Sequence, residues 1–141
     1  MALVLVDPNV LVAAARPDDD LHQQAAPLLR SLRADADQLL IPPTVVAEVC
    51  YMLSTWGGAG SEAAFLRSFG GRGLELAELH ETDLARIADL VEQYADLGLG
   101  GTDASIIALA ERLGIERVAT FDRRHFSVVR PAHVEALTLL P

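Results

Sequence analysis

The chain reads as an α/β protein, a three-layer sandwich with a mostly parallel five-stranded sheet between helices. Short, unbroken apolar runs such as LVLV at residues 3–6 and LLI at 39–41 are stopped at once by Asp7 and by Pro42-Pro43. Runs that are apolar at every position suit strands buried on both faces, which is the condition of a parallel sheet. Between them lie longer segments with apolar residues at helical spacing, as the crossovers of a parallel sheet require.

The 141 residues are read as one domain spanning 1–141, long enough to bury roughly two-thirds of the surface of the extended chain. With 51% apolar and only 5% aromatic residues, the core is expected to consist of Leu, Val, Ile and Ala. The opening apolar run carries no basic leader and ends at Asp7, so neither a signal peptide nor a membrane span is expected and the protein is placed in the cytoplasm. The single cysteine, Cys50, lies among Val46, Val49 and Leu53 and is read as a core thiol.

Taken in order, residues 3–6 form the first strand, and Pro8 turns the chain so that Asn9 opens a loop or a first helical turn. Asp18-Asp19-Asp20 offers a cap to a helix over about 21–34, in which Pro27 predicts a kink or a division. Residues 39–41 form the second strand, after which Thr44 is expected to cap a helix carrying Val45, Val46, Val49 and Leu53. Gly57 to Gly60 reads as a hinge, with Ser61 capping a short helix to Phe69. Residues 74–79 alternate apolar with acidic positions, as an edge strand does. Thr82 is expected to cap a helix whose inner face is Leu84, Ile87, Ala88, Val91 and Ala95. The loop 98–101 leads into a helix over 102–113 that Gly114 terminates. Residues 118–121 and 136–140 complete the sheet, with an irregular stretch over 123–133.

Asp7 and Asp122 stand at carboxyl ends of strands, where open α/β sheets bind their ligands, and Glu48 and Asp103 stand near helix starts at the same edge. Four carboxylates gathered there repel one another and persist only with protons or cations. Hard oxygen ligands select Mg²⁺ or Mn²⁺. Asn9 and Thr120 sit two positions from an acid and can hold a ligand or a water, and Asp96 is a further acid before the glycine loop. The net charge of −9 opposes a general nucleic-acid surface, but carboxylates that hold a metal inflate that count. All eleven basic residues are arginines, and five of them fall between 112 and 130, facing only Glu116 and Asp122. Arg123, Arg124 and His125 directly follow Asp122 and are placed to meet a substrate phosphate. The histidines at 22, 80, 125 and 133 have no zinc-chelating spacing, and the glycines at 98, 100 and 101 fit neither nucleotide-loop pattern.

Over its whole length the chain resembles the PIN-domain ribonucleases, and more closely the VapC-type toxins of bacterial toxin–antitoxin pairs. LVLVDPNVLV, PPTVVAEV and above all LGLGGTDASIIALAERLGIERVATFDRRHFSVVRP carry the resemblance. It implies that Asp7, Glu48, Asp103 and Asp122 are the acidic quartet that holds Mg²⁺ or Mn²⁺ for hydrolysis of RNA, with Asn9 and Thr120 at neighbouring polar positions. It also implies a homodimer and a cognate VapB-like antitoxin. Pro8 departs from the pattern, standing where such proteins often carry Thr or Ser.

Three other classes fit less well. A signalling receiver domain needs a lysine and the chain has none; a small-molecule phosphatase needs a second Asp where Asn9 stands; a non-catalytic PIN-like binding module would have lost acids that are present here.

Overall fold

The computed structural model describes residues 2–141; Met1, the first residue of the opening apolar run, lies outside them. The elements in chain order are β1 (Leu3–Val6), α1 (Pro8–Ala15), α2 (His22–Ala34), β2 (Gln38–Ile41), α3 (Pro43–Arg67), β3 (Glu75–Leu76), α4 (Glu81–Gln93), a 3₁₀ turn (Ala95–Leu97), α5 (Gly101–Leu113), β4 (Arg117–Ala119), α6 (Arg123–Val128) and β5 (Thr138–Leu140). All strand pairs are parallel, in the order β3-β2-β1-β4-β5. The expected fold class is therefore the observed one.

Hydrophobic burial fixes β1 at the centre. Val4, Leu5 and Val6 are fully buried, with β2 on one side and β4 on the other. Connections from β1 run outward through β2 to β3, whereas those from β4 run the opposite way to β5, so strand order reverses between β1 and β4. That reversal opens a crevice at the carboxyl ends of these two strands. α1 packs on α2 and α3, and α4 packs on α5. Right-handed crossovers put these two groups on opposite faces of the sheet.

Several local expectations are corrected. Pro8 starts a two-turn helix, because its fixed φ and missing N–H suit a first helical position. Pro27 does not divide α2: it is exposed, as is Gln23 four residues before it, while Ala25, Leu29 and Leu32 hold the helix to the core. Asp19 accepts from the Leu21 amide at 2.9 Å, ahead of a helix that has no side-chain cap. Thr44 does not cap α3, whose N-cap is Pro42. The Gly57-to-Gly60 hinge contracts to one residue, Gly58, whose φ of 72° kinks an otherwise continuous α3. Ser61 accordingly starts no helix and donates to the Gly57 carbonyl.

The edge strand at 74–79 contracts to β3. α4 is capped at His80, whose amide donates to Asp83 Oδ2 at 2.9 Å, and not at Thr82. Its inner face turns with that cap: Asp83 and Leu90 are buried, whereas Leu84, Ala88 and Ala95 are exposed. Residues 123–128 form a helix that the sequence conceals, since Asp122 caps it from just outside. Cys50 is half-buried against the core, not inside it.

Asp83 is a buried acid inside this fold, and Arg112 of α5 compensates it with Nε 3.0 Å from both carboxylate oxygens while Nη2 donates to the Glu78 carbonyl. Burial alone would raise the Asp83 carboxyl, but the His80 amide and the Arg112 guanidinium together hold it below the usual range. Arg112→Ala strands this charge. It is expected to destabilise the fold by about 2–3 kcal/mol in urea titrations at pH 7, below the ~3–5 of fully buried pairs because Arg112 keeps some solvent contact. Adding Asp83→Asn to that variant should recover part of the loss.

Candidate metal centre

Asp7 ends β1. Its amide completes the ladder to the Ala119 carbonyl at 2.9 Å, and its backbone takes the N-cap position of α1. An N-cap Asp ordinarily spends its carboxylate on the helix. Here the side chain makes no cap bond and turns into the crevice, where Thr120 Oγ1 donates to Oδ2 at 2.8 Å. Thr120 is itself buried and accepts from the Asp122 amide at 2.9 Å, so one hydroxyl ties the end of β4 to the end of β1.

Asp122 accepts from the amide of His125 at 3.0 Å through Oδ1 and meets His125 Nδ1 at 2.5 Å through Oδ2. The other ring nitrogen, Nε2, lies 3.1 Å from the Leu97 carbonyl. Both ring nitrogens thus face oxygens that can only accept, and each contact is satisfied when its nitrogen carries hydrogen. Asp103 lies in the first turn of α5 without a capping bond, and ligand atoms of Asp103, Asp122 and His125 lie within 4.8 Å of one another. Glu48 is exposed on the second turn of α3. Asp7 and Glu48 stand beside that 4.8 Å set rather than in it, close enough for their charges to act on one another and on Asp103.

The electrostatics follow from burial without compensation. Asp7 is 3% exposed, and its carboxyl is pushed up from 3.8 to about 7, first by burial and then by the charges of Asp103, Asp122 and Glu48, against the Thr120 hydrogen bond. Asp103 is raised too, by burial and then by Asp122 and Glu48, with His125 opposing. Among the described residues no arginine forms an ion pair with any of the four acids. A set of carboxylate oxygens with unbalanced charge is what a hard divalent cation requires, so the residues fit a metal.

The remaining candidates lie around this set. Asn9 is exposed in the first turn of α1, and Asp96 is exposed in the 3₁₀ turn next to Leu97. Arg123 donates through Nη2 to the Pro141 carbonyl at 2.5 Å, whereas Arg124 is exposed and has no ion-pair partner among the described residues. His125 was expected to face substrate; the structure turns it onto Asp122. Ser105, fully buried two residues after Asp103, is not singled out by the sequence. Its only signal was a lone hydroxyl at the head of the apolar run 106–110.

The PIN domain pattern matches residues 4–130. The chain belongs to the PIN-domain family. It is 34% identical over 141 residues to Ribonuclease VapC26 of Mycobacterium tuberculosis, a match that covers 98% of this chain and 100% of that one. The crystal structure of Mycobacterium tuberculosis VapC20, a sarcin-ricin loop cleaving toxin, superposes with a TM-score of 0.80 at 17% identity over 93% of this chain and 98% of that one. The crystal structure of VapBC2 from Rickettsia felis, bound to a DNA fragment from their promoter, matches with a TM-score of 0.70 at 19% identity over 99% of both chains. In this PIN fold the acid-lined crevice at the strand reversal is built from β1, β4 and the starts of α3 and α5.

The raised Asp7 carboxyl makes metal-free stability depend on pH. Below about 4 folded and unfolded chains both carry the proton; between about 4 and 7 only the folded chain does, so stability falls as pH rises and levels off above 7. In EDTA, Asp7→Asn is expected to be more stable than the parent at pH 8, by at most roughly 4 kcal/mol for about three units at 1.36 each, with the difference vanishing near pH 4. Urea titrations at the two pH values measure this, and an unchanged difference between them would contradict it.

Proposed function

We propose that this protein is a metal-dependent endoribonuclease and the toxin of a VapBC-type toxin–antitoxin pair, with residues 1–141 acting as one PIN unit in the cytoplasm. The observation that carries the reading is the convergence of Asp103 and Asp122, with Asp7 and Glu48 beside them, on a crevice where no described arginine pairs with an acid. Support comes from the identity of 34% along the whole chain to a protein named a ribonuclease. Family membership and the oxygen-rich donor set favour Mg²⁺ or Mn²⁺. When bound, such an ion lowers the pKa of its water and stabilises charge developing on the scissile phosphate.

The chain's own residues hold the ligands in place. Thr120 fixes one oxygen of Asp7, leaving the other free for a cation, and the His125 amide and ring hold both oxygens of Asp122 in position. Asp103 has no such restraint from a hydrogen bond and lies where the positive end of α5 favours its charge. Arg124, at the rim beside Asp122, offers an uncommitted guanidinium to an RNA phosphate. In this reading a VapB-like antitoxin is the cognate partner, as in the Rickettsia felis complex, and the toxin is a homodimer. No described helix is long and apolar enough to cross a membrane.

Cleavage of RNA by the purified protein is expected to need added Mg²⁺ or Mn²⁺. Asp7→Asn and Asp103→Asn should each lower it by roughly a hundredfold or more, beyond the ~10–100-fold typical of losing a metal ligand's supporting partner. Undiminished cleavage in excess EDTA, or in both variants, would refute the metal mechanism. Arg124→Ala in an inactive Asp103→Asn background should reduce the salt dependence of RNA binding, its log–log slope falling by about 0.7 for one phosphate contact on a single strand. Arg123→Ala should change that slope less, since Arg123 is held by Pro141.

A further inference from the structure

The starts of α3 and α5 carry Glu48 and Asp103 and reach the crevice from opposite faces of the sheet. Among the described residues, one side-chain hydrogen bond joins them. Thr44 Oγ1 lies 2.6 Å from Ser105 Oγ, and Ser105 Oγ in turn donates to the Thr102 carbonyl at 2.6 Å. A serine has one hydroxyl hydrogen, and with that committed to Thr102, Thr44 must be the donor in the pair. Ser105 is fully buried and Thr44 half-buried, so water competes poorly for these bonds.

Each member of the pair sits close to an acid. Thr44 precedes Glu48 by four residues, which puts both on one face of α3. Ser105 follows Asp103 by two, and its acceptor Thr102 immediately precedes Asp103. The contact between the two hydroxyls is not called for by either helix, although Ser105 also bonds back to the Thr102 carbonyl within its own α5. Thr44 makes no cap bond, and Ser105 stands in an otherwise apolar run where alanine would be the better helix former. A buried hydroxyl costs stability unless it is bonded, so a core position with no other demand would favour alanine.

We infer that the Thr44–Ser105 hydrogen bond is a positioning device that holds the Glu48 and Asp103 carboxylates at the spacing a divalent cation needs, so that these two hydroxyls set metal affinity without touching the metal. The inference rests on the metal-nuclease reading. Repulsion between the acids drives the two helix starts apart when no cation is bound, and the hydrogen bond resists that separation. Without it, binding a cation would also have to draw the helices together.

Mn²⁺ titrations of the full chain, followed by the electron paramagnetic resonance signal of free Mn²⁺, test this on Thr44→Val, Thr44→Ser, Ser105→Ala and the Thr44→Val/Ser105→Ala double variant. Thr44→Val and Ser105→Ala are each expected to raise the dissociation constant about tenfold, the lower end of the range for a ligand's supporting partner. The double variant should be no worse than the weaker single one, since both remove the same bond. Thr44→Ser, which restores the hydroxyl, should return to within about twofold of the parent. Mn²⁺ affinity unchanged in Thr44→Val and Ser105→Ala, with the parent binding normally, would overturn the inference while leaving the nuclease reading intact. A parent chain that binds no Mn²⁺ would overturn both. Should Thr44→Val fold poorly, Ser105→Ala, which improves helix propensity, decides the matter alone.

Discussion

Like charges brought together at the carboxyl end of one parallel sheet are the constraint on which the rest of this molecule depends. Asp7 is held at the end of the most buried strand, so its carboxylate cannot retreat into water. At a separation of a few ångströms and in reduced dielectric, its neighbours at 103, 122 and 48 repel it strongly. Three features make the arrangement tolerable: the Thr120 hydroxyl on Asp7, the His125 contacts on Asp122, and the helix starts next to Asp103 and Glu48. None of them brings a guanidinium to the cluster.

The treatment of acids elsewhere in the chain sharpens this point. Asp83 is bonded by Arg112, Glu111 by Arg86 through a two-pronged contact, and Asp37 by Arg117. These pairs join α4 to α5 and the residue just before β2 to β4. Outside the crevice, Asp83, Glu111 and Asp37 thus each meet a guanidinium. Arg123, the arginine next to Asp122 in sequence, is turned toward the Pro141 carbonyl. The crevice acids stand, among the described residues, without the guanidinium partner that Asp83, Glu111 and Asp37 each have.

Most of the sheet was legible in the sequence because a strand buried on both faces leaves an unbroken apolar run, and residues 3–6 and 39–41 have no competing explanation. The acids were legible for a related reason, since an Asp directly after such a run falls at the strand's carboxyl end. Helix starts were read poorly. Thr44, Ser61 and Thr82 have the right chemistry for caps, yet Pro42 and His80 take the first and last of those places, and α3 resumes after its kink at Gly58 with Ser61 bonded back to Gly57. A cap depends on backbone angles that neighbouring packing sets, and side-chain identity only permits it. Residues 123–128 were missed as a helix because six residues show less than two turns of periodicity.

By itself, the sequence determined the α/β class, the central apolar strand and the four acids with their places at strand ends and near helix starts, because these follow from local composition and period. Only the tertiary structure decided how those acids meet. It brought Asp103, Asp122 and His125 within 4.8 Å, sent the Asp7 carboxylate to Thr120 instead of its own helix, and set Thr44 against Ser105 across 61 positions of sequence. Such contacts depend on which strands are neighbours and which way the helices cross them, and no stretch of the chain contains that information alone.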